Sequence, residues 1–272
     1  MKKKLIVCDI DSTLIVKYQP LSERSKAVIN ELKRRGIYFG IASGRTLEEI
    51  RSMMKTWGYD DFELLIGLNG SAIWDGVTKQ KYEDFILKKE WIKEILDIMK
   101  PYPKINIMMY RGHNVLCERI EDHIKRATDA SKMIPTPVSS WEEYYKEDNA
   151  KIMFRVTEEE MVKLEKELQD LPTDRYQWFK TQTTLMEFAH RDVSKGYALK
   201  KFCELENIPM EAVMAFGDTT NDNDLLMASG WGVCMQNGSE DTKQIADEIT
   251  EKPCEEDGWA DYMEKFLREQ ED

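Results

Sequence analysis

Four consecutive apolar residues, Leu5 to Cys8, stop abruptly at Asp9. A run that short and that uniformly apolar predicts a strand covered on both faces. Behind it, Val28, Ile29 and Leu32 share one stripe of a helix predicted over 22–35, with Gly36 as its stop. "IYFGIAS" reads as a second buried strand, Leu47 to Trp57 as a helix closing at Gly58, and "ELLIGLNG" as a third strand. "AIWDG" pairs with that strand as a hairpin. This β-α-β-α-β order predicts a parallel sheet with right-handed crossovers.

From residue 81 to residue 190 the rhythm changes. Helices are predicted over 89–99, 119–130, 141–147 and 158–171, with a proline-containing connection after the second. Between them lie the strand pair "INIMMY" and "NVLCE", the strand "KIMFRV", and the pair "RYQWFK" and "LMEFA". Alternation of Ile105, Ile107 and Met109 fits a sheet with one face under helices. After Asp192 the first rhythm returns, with helices over 195–206, 222–228, 241–247 and 259–267 and strands "AVMAFGD" and "GWGVCM". The fold class is therefore α/β: a doubly wound, mostly parallel sheet over 1–80 and 191–272, with an α+β module over 81–190 inserted into it.

Composition narrows the partners. The 272 residues carry 51 acids against 39 Lys and Arg, a net charge of −12. Such a chain repels nucleic acid and anionic membrane surfaces at long range, so neither is expected as a partner, and an anionic substrate needs a local cation. No apolar stretch approaches the roughly 18 residues of a membrane span. Lysines 2–4 imitate the basic start of an export signal, but Asp9 breaks the apolar run that follows. The five cysteines are odd in number and unpaired in spacing; Cys8, Cys203 and Cys234 read as small core residues. The chain is expected to be cytoplasmic, and its acidic ending "LREQED" a solvated terminus.

Ligands of open α/β sheets bind beyond the carboxyl ends of the strands. Asp9, Ser43, Asn69 and Asp218 all fall at or just past such ends. Asp9 and Asp11, one residue apart, either raise each other's pKa or recruit a cation such as Mg²⁺, which favours oxygen ligands. So shielded, Asp9 can attack a phosphoryl group, and Asp11 can protonate the departing alkoxide and then deprotonate water. The turn over Ser12 and Thr13 can offer N–H groups to phosphate oxygens. On this fragment alone, a strand-ending turn is an equal reading. "FGDTTNDND" puts Asp218, Asn221 and Asp222 after another buried strand; one of them can be a helix cap, but a single cap does not use them all. Ser43 can hydrogen-bond a phosphoryl group or cap the helix that follows it. Lys195 opens a helix against its dipole, which suits a cation fixed beside Asp9 and phosphate better than a solvated lysine.

Together, "DIDSTL", "IASGR", "SKGYAL" and "GDTTNDNDLL", with "LNGSAI" and "GVCMQNGSEDTKQIAD", resemble the haloacid dehalogenase superfamily of phosphatases. The resemblance is to its Cof-type branch, whose large α/β cap is inserted between the second and third motifs. It implies Asp9 as nucleophile and Asp11 as acid and base. It also implies Mg²⁺ held by the Asp9 carboxylate, the Asp11 carbonyl and Asp218, with Asp222 in support. Ser43, Lys195 and Asn221 match phosphate-contacting and orienting positions, and Arg45 and Asn69 match positions of mainly structural role. Ser12 stands where the family usually has Gly, and Ser43 where Thr is commoner.

The expected function is a Mg²⁺-dependent phosphomonoester hydrolase for a small phosphorylated metabolite such as a sugar phosphate, with the inserted module selecting the leaving group. A phosphotransferase or mutase shares the same core residues. A sensor that binds a phosphorylated ligand without turnover has no need of Asp11, and a dehalogenase needs neither Asp11 nor the metal cluster. His113, His190, Arg111 and Arg191 are minor candidates for substrate contact.

Overall fold

The computed structural model describes residues 3–17, 19–102, 104–169, 171 and 174–270. The basic start at Lys2 and the last two residues of the acidic terminus lie outside these. Along the chain run β1 (Leu5–Cys8), α1 (Glu23–Arg34), β2 (Tyr38–Ala42), α2 (Leu47–Trp57), β3 (Leu64–Gly67), β4 (Ala72–Asp75) and β5 (Gln80–Glu83). Then come α3 (Lys89–Met99), β6 (Asn106–Arg111), β7 (Asn114–Cys117), α4 (Asp122–Ser131), β8 (Ile134–Pro137), β9 (Lys151–Arg155), α5 (Glu158–Glu167), β10 (Tyr176–Gln182) and β11 (Leu185–His190). The chain ends with α6 (Lys195–Leu205), β12 (Val213–Gly217), α7 (Asn223–Ala228), β13 (Gly232–Cys234), α8 (Glu240–Ile245), β14 (Glu248–Ile249) and α9 (Gly258–Glu269). Its contacts divide into two compact units, Met1–Glu83 with Ser194–Asp272, and Asp84–Val193.

The first unit holds an eight-stranded sheet, β14-β13-β12-β1-β2-β3-β4-β5, parallel from β14 to β3 and antiparallel beyond. All four residues of β1 are fully buried because each face of the strand has its own core. Ile6 and Cys8 join Val28, Ile29, Ile50, Met54, Phe216, Trp259 and Met263 under α1, α2 and α9. Leu5 and Val7 join Ala198, Leu199, Phe202, Leu225 and Leu226 under α6 and α7. Burying each such aliphatic chain contributes about 1.5–3 kcal/mol. The uninterrupted apolar run is thus a strand alternating between two cores. Since β1 pairs with β2 on one side and β12 on the other, the order of connection reverses there, and the crevice of a doubly wound sheet opens at its carboxyl end.

The second unit is a six-stranded sheet, β10-β11-β9-β6-β7-β8. Ile92, Ile95, Leu96 and Met99 of α3 and Leu164 of α5 form one core with Phe154 and Phe188 of the sheet. The smaller cluster of Met108, Val115, Cys117, Ile124, Met133, Met153 and Leu185 lies toward α4. Two expectations differ here. The proline-containing connection is a strand, β8, pairing parallel with β7 at the sheet edge, where Pro135 and Pro137 cost no ladder bond needed by a further strand. The helix expected over 141–147 is a 3₁₀ turn, Trp141–Tyr145, capped by Ser140. Among the described residues no helix is long and apolar enough to cross a membrane.

Candidate active site

Asp9 follows β1 and Asp218 follows β12. The parallel register sets Cys8 beside Phe216, so the two acids leave neighbouring strands one residue out of step. The Asp9 amide donates to the Phe216 carbonyl at 3.0 Å, which keeps that pairing to the last residue. Asp222 arrives from the turn ahead of α7. One carboxylate oxygen of each of Asp9, Asp218 and Asp222 lies within 4.8 Å of the others, and all three residues are buried. Gly217 permits this, because a Cβ there would sit 2.4 Å from that of Asp222.

The charge of the cluster is answered from α6. Lys195, capped into the first turn by Ser194, has no exposed surface, and its Nζ donates to Asp9 Oδ1 at 2.7 Å and to Asp222 Oδ1 at 2.5 Å. Its position against the helix dipole is explained by this reach into the acids. Burial, partly offset by Lys195 and reinforced by Asp222 and Asp218, pushes the Asp9 carboxyl well above its ordinary range. Burial, followed by the charge of Asp222, pushes Asp218 to about 7. Burial alone would lower the Lys195 ammonium, but Asp222 and Asp9 outweigh it and raise it. Crowded, dehydrated acids of this kind favour either protons or a cation.

The remaining bonds show which oxygens are engaged. Asp222 uses Oδ1 for Lys195 and Oδ2 for the amides of Asp218 and Thr219, at 3.0 and 3.2 Å. Asp218 Oδ1 accepts from the Thr13 hydroxyl at 2.9 Å. The buried, all-oxygen donor set of the acids suits a hard divalent cation. Asp222 is thus engaged by an ammonium and two amides.

The other expected residues lie in the surrounding loops. Ser43 is buried after β2; its amide donates to Ile66 and its carbonyl accepts from Asn69 at 3.0 Å. It does not cap α2. That cap is Thr46, in a reciprocal box with Glu49, so the Ser43 hydroxyl is left with the Arg45 amide, 3.3 Å away. Asn221 donates to the Asn69 side chain at 3.3 Å and accepts from Thr219. Asn69 is itself in left-handed backbone, between Leu68 and Gly70, also at positive φ. The Asp11 carboxylate is outside the acid triad and meets Arg45. From the sequence, Arg45 has a mainly structural role and the Thr13 turn offers only its N–H groups; their side-chain bonds to Asp11 and Asp218 are visible in the structure alone. In the second unit, His190 stacks on Phe85 at 5.1 Å, Arg111 pairs with Glu147 at 2.6 Å, and His113 and Arg191 are exposed. All five cysteines are free and buried.

Comparison with known proteins places the chain in a family. The family of haloacid dehalogenase-like hydrolases matches residues 6–263. A 5-amino-6-(5-phospho-D-ribitylamino)uracil phosphatase of Bacillus subtilis is 29% identical, with 98% of each chain covered. An HMP-PP phosphatase of Yersinia pseudotuberculosis is 23% identical, covering 97% of this chain and 95% of its own. Among solved structures, a haloacid dehalogenase-like hydrolase from Bacteroides thetaiotaomicron superimposes with a TM-score of 0.85 at 24% identity, over 97% of this chain and 100% of the other. The chain belongs to the haloacid dehalogenase-like hydrolases, as an enzyme of their Cof-type phosphatase branch.

Proposed function

We propose that the chain is a Mg²⁺-dependent phosphomonoester hydrolase for a small phosphorylated metabolite, working through an aspartyl-phosphate on Asp9. The observation that carries this reading is the buried cluster of Asp9, Asp218, Asp222 and Lys195 at the ends of β1 and β12. Asp9 attacks phosphorus with Oδ2, since Oδ1 is held by Lys195. Asp11 gives its proton to the leaving oxygen, then takes one from the water that releases phosphate from Asp9. Lys195 keeps the nucleophile oriented and balances the acids. Asp9, the Asp11 carbonyl and Asp218 would hold Mg²⁺, with Asp222 orienting them, and the bound ion would neutralise the phosphoryl oxygens. Ser43 and Asn221 complete the phosphate contacts, and residues of the second unit select the leaving group, for which a sugar phosphate is the reading.

The curated relatives support the reaction class, being phosphatases of small phosphorylated molecules. The test is release of phosphate from p-nitrophenyl phosphate with Mg²⁺, lost on chelation and abolished in Asp9→Asn. Full turnover by that variant, with deamidation back to Asp excluded by mass spectrometry, would defeat the assignment.

A further inference from the structure

Asp11 must present its carboxylate to two different oxygens in turn, yet it sits in a loop and is partly exposed. A carboxylate on such a loop samples several rotamers unless something holds its plane. Arg45 does so. Its Nε donates to Asp11 Oδ2 and its terminal nitrogen to Oδ1, both at 2.8 Å, the parallel fork that fixes a carboxylate in two dimensions.

Both backbones are anchored for this. Ser12 donates to the Ile15 carbonyl at 2.8 Å and Leu14 to that of Ile10 at 3.1 Å, closing the loop that carries Asp11. The Arg45 amide reaches Ser43 Oγ, and its carbonyl accepts from Leu68 at 2.8 Å. That carbonyl lies 3.1 Å from where a Cβ of Gly67 would stand, so the end of β3 is shaped around it. The fork therefore ties the loop after β1 to the loop after β2.

We propose that Arg45 is a positioning residue, acting on the reaction through Asp11. This rests on the reading of Asp11 as acid and base given above. Each Asp11 oxygen spends one lone-pair position on the fork and keeps another. At that second position the carboxylic proton is carried to the leaving oxygen in the first step, and the proton of water is accepted in the second. Without the fork the same chemistry proceeds from a carboxylate that faces the reacting oxygen only part of the time.

The test is a double-mutant cycle of Arg45→Met and Asp11→Asn, followed by kcat/KM for phenyl phosphate and p-nitrophenyl phosphate with Mg²⁺. Phenolate is the poorer leaving group and depends more on proton delivery. Arg45→Met should lower kcat/KM for phenyl phosphate about tenfold more than for p-nitrophenyl phosphate. In the Asp11→Asn background the same substitution should change either value by less than about twofold. If Arg45→Met does not fold, Arg45→Lys, which keeps the charge and loses the fork, serves in the same cycle. An undiminished Arg45 effect in the Asp11→Asn background, or an equal effect on both esters, would overturn the proposal. Wild-type turnover of phenyl phosphate by Asp11→Asn alone is a separate result, which removes the role of Asp11 itself.

Discussion

Lys195 and Asp9 are joined by a buried hydrogen bond of 2.7 Å across 186 residues of sequence. The strand ends of the first unit therefore close around a cation that belongs to the protein. Removing it leaves three acids in one dehydrated site. Lys195→Met should destabilise the metal-free protein by about 3–5 kcal/mol, the usual cost of stripping one partner from a buried pair. The loss should shrink when Mg²⁺ is supplied, since the ion meets the same charge. Denaturant titrations with and without Mg²⁺ measure both.

The pH dependence follows from the raised acids. Asp218 titrates at about 7 in the fold against an ordinary 3.8. Between those values the folded protein holds a proton that the unfolded chain has lost. Its contribution to stability is complete below the ordinary value and lost as pH rises through about 7. Chelated protein should accordingly lose melting temperature between about pH 4 and pH 7 more steeply than Asp218→Asn does. Added Mg²⁺ should raise the melting temperature more at the higher pH, where it no longer competes with protons. Parallel curves for the two proteins would show that Asp218 does not carry the effect.

Gly70 has φ of +113°, and a Cβ there would lie 2.1 Å from the Ser194 carbonyl, immediately before Lys195. Gly70→Ala should cost about 3 kcal/mol or more, from left-handed strain and forced retreat of the α6 start. Because that retreat carries the Lys195 backbone, kcat should fall in variants that remain folded. An unchanged kcat would show that the α6 start tolerates the shift.

Ser12 has φ of +67°, in the loop that carries Asp11. Backbone of this left-handed kind favours glycine. Ser12→Gly should relieve roughly 1 kcal/mol of left-handed strain, less what glycine adds to the entropy of the unfolded chain. A net gain of a few tenths of a kcal/mol in chemical denaturation, with kcat within about twofold, is expected. A clear loss of stability would mean that the serine side chain holds the loop.

Much of the molecule was legible because local pattern and final environment agreed. The run Leu5 to Cys8 is a strand between two cores, and α2 closes at Gly58 as expected, although its N-cap is Thr46 and not Ser43. Short elements were not. The edge strand β8 was masked by Pro135 and Pro137, since nothing local distinguishes an edge strand from a connection. Lys151 and Glu187, diagonal neighbours on β9 and β11, look like surface residues in sequence, yet they form a buried pair at 2.9 Å.

The sequence by itself determined the alternation of the longer strands and helices and the acids that end β1 and β12, because periodicity and motif spacing are local properties. Only the tertiary structure decided which oxygen meets which donor. It placed Asp222 among the buried acids, gave Lys195 two carboxylates to answer, and took Asp11 out of the cluster to Arg45. Those pairings depend on strand register and side-chain reach across distant loops, where a shift of an ångström exchanges one partner for another.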